Sequence, residues 1–449
     1  MVEDRRGILL SGADRRAAEQ YEAALRAFQS YVGDPVATID EALAESPAFV
    51  GGHLLKAFVL YTLAERQFAA MARDALAAAA PHAAGASDRE RSLLAAGQRL
   101  VEGQWDAAAL ALDRVLAAHP RDALALQTAH LVDFYRGDAL NLRNRVSRVL
   151  PHWTADLPGY SYVLGMHAFG LEEMNQYREA EDTGRRALAI EPRDGWSVHA
   201  VTHVMEMQGR IDEGVDWLVS REEDWAPDNG FAFHNFWHLA LFHLDPGDVR
   251  AALDLYDRHV HPQPAAFTLS LVDATALLWR IALEDGDVGE RWNGVAGDWS
   301  ERLARGEPGF YAFNDLHAAL AFVATRRADD LARVLAGLRE AAAGAGSNAA
   351  MSRDVGLPLV QAIADFGDGR YGAAADGIEA VRDIAHRFGG SHAQRDLLTL
   401  TLIEAASRAG DADRARHYIA ERLVHRQPGS AWGPRLARRV GTAAARRAA

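Results

Sequence analysis

Residues 159–192 read GYSYVLGMHAFGLEEMNQYREAEDTGRRALAIEP, and this stretch constrains the fold more than any other in the chain. Ala168, Ala180 and Ala187 place small side chains where two antiparallel helices must approach closely. Pro192 follows the second helix and ends it, because proline has no N–H to extend the hydrogen-bond ladder. An upstream copy places Ala96, Ala108 and Pro120 around EGQWDAAALALDRVLAAHP. Looser copies start with a breaker and continue as a helix: RGDALNLRNRV, QGRIDEGVDWL, DPGDVRAALDLY, DGDVGERW, GDGRYGAAADGI and AGDADRARHYI. A period of about 40 residues gives about eleven helix pairs in 449 residues.

The small-residue and proline positions are those of the 34-residue tetratricopeptide repeat. The expected fold is therefore all-α: a right-handed superhelical solenoid of about eleven tetratricopeptide-like pairs, curled around a concave pocket. It is read as one unit over 1–449, with a soft subdivision near 341–354, where AAAGAGSNAAMSRD suggests a mobile loop. No β-type alternation of useful length is present. The tail GTAAARRAA is expected to fray.

Composition narrows the function classes. The hydrophobic fraction is 49% with alanine dominant, and there are only 15 prolines, which favours helices. The absence of cysteine excludes disulfides, thiolate catalysis and cysteine-ligated zinc. Lys56 is the only lysine, which disfavours Schiff-base chemistry away from that residue. A net charge of −14 argues against nucleic acid or an anionic membrane as the main partner. The opening MVEDRRGILLSGADRR lacks a signal peptide's apolar core, and no apolar run is long enough to span a bilayer, so a cytoplasmic location is expected. No nucleotide cofactor is expected, because there is no P-loop and no GxGxxG following a strand.

Histidines carry the candidate chemistry. His130, His167, His199, His203, His234, His238, His317 and His392 all fall on the first helix of a predicted pair, the one expected to line the concave side. HAVTH (199–203) and HNFWH (234–238) each place two imidazoles one helical turn apart. With Glu206 three residues beyond His203, these pairs could bind a divalent metal, although HxxxH without an internal glutamate is a weak motif. Asp273, Asp315 and Asp396 are candidate acids for orienting an imidazole. The competing reading is that such pairs hold adjacent repeats in register.

Five motifs in order, HAVTHVMEMQGR, FHNFWHLALFHLDPGD, LVDATALLWR, FNDLHAALAF and GGSHAQRDLL, resemble the tetratricopeptide repeat protein 38 family from about Arg89 to about Arg422. The resemblance implies an all-helical repeat fold and carries no mechanism with it.

The working expectation is an enzyme using acid–base chemistry on a small polar substrate, with or without a divalent metal. Its catalytic residues would be His199, His203, His234, His238, Asp273, His317 and His392. Substrate contacts would come from Asn235, Trp237, His167, Asn314, Asp315, Arg395 and Asp396. Arg395 and Arg280 are candidate carboxylate clamps. Ser391 is either part of an anion site after Gly389 and Gly390 or simply a helix cap. The alternative is a scaffold that grips a peptide or partner protein. A homo-oligomer is compatible with either reading.

Overall fold

The computed structural model describes residues 2–262, 267–426 and 429–448. It is a succession of short antiparallel helix pairs, about eleven in number, as the repeat spacing predicts. The one sheet among the described residues is a small antiparallel hairpin, Val2–Glu3 with Leu9–Leu10. The breaker-plus-helix copies begin helices at Ala139, Ile211, Val249, Arg291, Tyr371 and Ala412. At several of these the aspartate of the breaker is the cap. Asp138, Asp248 and Asp411 each accept a backbone N–H three residues on, which satisfies a donor that the first turn leaves open.

The chain forms two compact units, residues 1–201 with 222–232, and residues 202–221 with 233–449. The division passes through helix Gly195–Met207. The 341–354 stretch, expected to be a soft boundary and a loop, lies inside the second unit and is largely helical. Helix Ser347–Met351 runs through a π-helical turn, Ser352–Gly356, into helix Leu357–Gly367. Asn348 anchors this segment by donating to Gly309 O (2.9 Å) and accepting from Ala312 N (3.0 Å). The tail lies in helix Trp432–Ala448; Ala449 lies outside the described residues.

In the first unit the small residues do what their spacing requires. Ala168, Ala180 and Ala187 are fully buried. Gly170 allows a close backbone approach between two helices: a Cβ there would lie 2.5 Å from the backbone of Leu142 and Arg143. Because backbone cannot rotate away as a side chain can, Gly170→Ala is expected to destabilise the protein by about 1–3 kcal/mol, read from chemical denaturation.

Buried ion pairs link successive repeats in this unit. Asp122 caps its own helix through Ala125 N (3.0 Å) and takes the Arg89 guanidinium from the preceding pair at 2.6 Å. In the second unit, buried tryptophan N–H groups do similar work. Trp279 donates to Thr401 (3.0 Å) and Trp299 to Thr275 (2.9 Å), so these large side chains are packed without an unsatisfied donor.

Candidate functional site

The polar centre of the second unit is built by helices Gly195–Met207 (from Thr202 on), Ala232–Leu244, Thr268–Leu283, His392–Ala409 and Ala412–His425, with Arg426 just beyond the last. The i, i+4 spacing of HNFWH puts His234 and His238 on one face of their helix, as the sequence predicts. His234 Nδ1 donates to Asp273 at 2.6 Å, and His238 Nδ1 donates to Glu206 at 2.7 Å. The rings of His203 and His238 are 4.5 Å apart and those of His234 and His238 4.8 Å. One ring nitrogen from each of the three lies within 4.8 Å of the others.

Around these imidazoles is a chain of ion pairs. Arg426 lies 2.9 Å from Glu206 and 3.3 Å from Asp396. Arg422 takes both oxygens of Asp396 at 2.8 Å. Burial alone would raise the Asp396 pKa, but Arg422 and Arg426 outweigh it and hold the carboxyl well below its ordinary value. Arg280, fully enclosed, is pushed down to about 10 by burial, against the opposing pull of Asp396 and Glu206. His238 is driven well below the ordinary imidazole value, first by burial and then by the nearby histidines and arginines, so it is neutral at pH 7.

This geometry corrects several assignments. His203, His234, His238, Asn235 and Asp273 are buried, so they form an enclosed centre and do not line an open surface. Trp237, assigned to substrate contact, is fully buried. It stacks on His234 with ring centres 5.2 Å apart and sits 5.4 Å from the Arg280 guanidinium. Arg280 is neither a substrate clamp nor on a solvated face: it donates to the backbone carbonyls of Ala393 (2.8 Å) and Ala276 (3.1 Å). Asp396, assigned to substrate, is committed to Arg422 and Arg426.

The remaining candidates lie on helices Ala312–Ala324 and His392–Ala409. Asp315 accepts the N–H of Gly309 with both oxygens at 3.1 Å. His317 donates from Nδ1 to Phe313 O at 2.8 Å, one turn back in its own helix. Asn314, on the same helix, is buried. Ser391 is the helix cap: it forms a capping box with Gln394, which occupies the N–H groups of Ser391 and Gln394. His392 begins that helix, half-buried, with Arg395 3.4 Å from its Nδ1. Arg395 also donates to Gly390 O.

His167 and His199 belong to the first unit. His167 Nε2 lies 3.0 Å from the Ser147 hydroxyl. The His199 ring is surrounded by Trp196, Phe231 and Phe169 at 5.0, 5.1 and 5.3 Å. Arg422 and Arg426 escaped the sequence reading, although RLVHR places them one turn apart on one face.

The first unit also has an open pocket of about 550 Å³. Helix Arg15–Ser30, residues 155–159 and the first turn of helix Tyr160–Glu173 wall it, with Arg26, Glu19, Glu22 and Gln29 among its polar groups. Residues far apart in sequence form it, so no local motif signals it.

No family model matches the chain. Among solved structures, it is similar to a human IFIT1 dimer with m7Gppp-AAAA, at 14% identity and a TM-score of 0.42, covering 92% of this chain and 96% of that one. It is also similar to the APC/C hetero-tetramer Cut9–Hcn1, at 11% identity, a TM-score of 0.38 and coverage of 96% and 77%. For the TPR domain of P58(IPK) the values are 11%, 0.23, 80% and 99%. The net charge of −14 is no ground for excluding nucleic acid, because a net figure averages over local arginine clusters. No helix among the described residues is long and apolar enough to cross a membrane.

Proposed function

We propose that the chain is a helical-repeat binding module that takes a segment of a partner polypeptide. The observation that carries this reading is the open pocket of the first unit, about 550 Å³ with polar groups of both charge signs. Its wall alternates Arg26, Glu22 and Gln29 with Leu157, Tyr160 and Tyr162, which suits a peptide segment that carries both polar and apolar side chains. The enclosed histidine centre supports the same choice, because acid–base catalysis needs the substrate within hydrogen-bond reach of the base. Kinship with the tetratricopeptide repeat protein 38 family rests on the five ordered motifs and adds no partner.

Ala23 is exposed on the pocket wall, so Ala23→Trp fills the space without disturbing the core. Ala23→Trp and Arg26→Glu are each expected to weaken a stoichiometric partner at least tenfold, measured by titration calorimetry with the mapped peptide. A partner retained at full affinity by both variants would count against this pocket.

A second reading, a small-molecule enzyme, is favoured by the two imidazole–carboxylate pairs, His234–Asp273 and His238–Glu206. Such pairs orient an imidazole and set its tautomer. Its test is whether a saturating small ligand shifts the imidazole nitrogen resonances of His234 and His238; unchanged resonances across a ligand panel would remove it.

A further inference from the structure

We propose that His203, His234 and His238 form a binding site for one divalent transition-metal ion of the zinc class. The inference is independent of the polypeptide-binding reading, since it concerns a different unit and a different ligand.

Three observations point to it. The first is convergence: one ring nitrogen from each histidine lies within 4.8 Å of the other two. Nitrogens around a tetrahedral zinc ion sit about 3.3 Å apart, as follows from Zn–N bonds of about 2.0–2.1 Å. Small χ rotations close that difference.

The second is orientation. Metal-bound histidines almost always donate their other ring N–H to a carboxylate or carbonyl, which fixes the tautomer and raises the basicity of the ligand nitrogen. His234 and His238 both show this arrangement, with Nδ1 donating to Asp273 and to Glu206. Once Nδ1 carries the proton, the lone pair of each ring is on Nε2. Two such pairs side by side, from carboxylates on two different helices, go beyond what packing requires.

The third is charge. Glu206 is neutralised by Arg426 at 2.9 Å. Among the described residues, no arginine lies at ion-pair distance from Asp273, so its negative charge is available to offset a cation. Imidazole donors select zinc, nickel, copper or iron over calcium and magnesium, which prefer oxygen. The fourth position would fall to water or another donor.

The test uses the full-length chain, stripped with chelator and titrated with cobalt(II), whose visible ligand-field bands report nitrogen coordination. The expected result is one equivalent bound, with an intense band that zinc displaces and magnesium does not. His203→Gln and His238→Gln should abolish the band. Asp273→Asn, which preserves shape and leaves all three ligands in place, should weaken binding about 10–100-fold. His317→Gln, whose ring is already bonded to Phe313 O, should bind as the parent does. Circular dichroism of each variant separates lost ligands from lost fold. Folded parent protein with no stoichiometric band, or a folded His238→Gln variant that binds cobalt undiminished, would overturn the proposal.

Discussion

Replacing Asp396 by alanine is expected to lower the unfolding free energy by about 3–5 kcal/mol, the range for removing one partner from a buried ion pair. The carboxylate accepts two 2.8 Å bonds from Arg422 and lies 3.3 Å from Arg426, and both arginines are buried. Without Asp396, Arg422 loses its bidentate partner and remains enclosed against the Trp432 ring, 5.2 Å away. Arg426 keeps Glu206 at 2.9 Å, which limits the loss. Asp396→Asn, which keeps the shape but not the charge, should fall between parent and alanine variant. The measurement is the urea midpoint at unchanged slope. A shift below about 1 kcal/mol would mean that water already screens the network, as it does for surface pairs. The pH dependence has a definite sign. Because the folded pKa is depressed, the contribution is complete above the unfolded value of about 3.9 and is lost only as pH falls through the lower, folded value.

Mild acid should destabilise the second unit earlier, through buried histidines. In the first unit two groups oppose each other: burial pushes His130 down to about 3 and raises Asp194 to about 7. Burial pushes His317 in the second unit down to about 4, partly offset by its bond to Phe313 O. In the unfolded chain an imidazole titrates near 6.5. Between that value and the folded one, the unfolded chain binds a proton that the folded chain does not. Stability therefore falls as pH drops below about 6.5, by about 1.4 kcal/mol per pH unit for each such group. Urea midpoints taken between pH 7 and pH 4.5 should decline steadily, and His317→Gln should flatten the decline. A parent midpoint that stays level across that window would show that these rings are hydrated in solution.

Much of the architecture was legible before any coordinates. The small-residue and proline pattern of 159–192 and the recurring breakers located the helix pairs, because close helix packing and helix termination are local demands on residue type. The i, i+4 spacing of HNFWH correctly placed His234 and His238 together, since a helix has one period. The 341–354 stretch misled: alanine, glycine and serine read locally as a loop, whereas Asn348 ties the segment to Gly309 and Ala312, some 35 residues away in sequence.

Roles were much less legible than positions. Asp315 and Asp396 were both placed on helices as expected, yet one closes a turn and the other neutralises two arginines. Residue type says that a buried carboxylate needs a partner, and only the packed helices say which one. Trp237 and Arg280 show the same limit, because burial is set by every neighbouring helix at once. By itself the sequence determined an all-helical repeat, its approximate count of pairs and the placing of many histidines on the first helices of pairs, because these follow from short-range periodicity. Only the tertiary structure decided that the histidines are enclosed, that Asp273 and Glu206 orient two of them, and that the open pocket lies in the other unit, because burial and pairing depend on contacts between residues far apart in the chain.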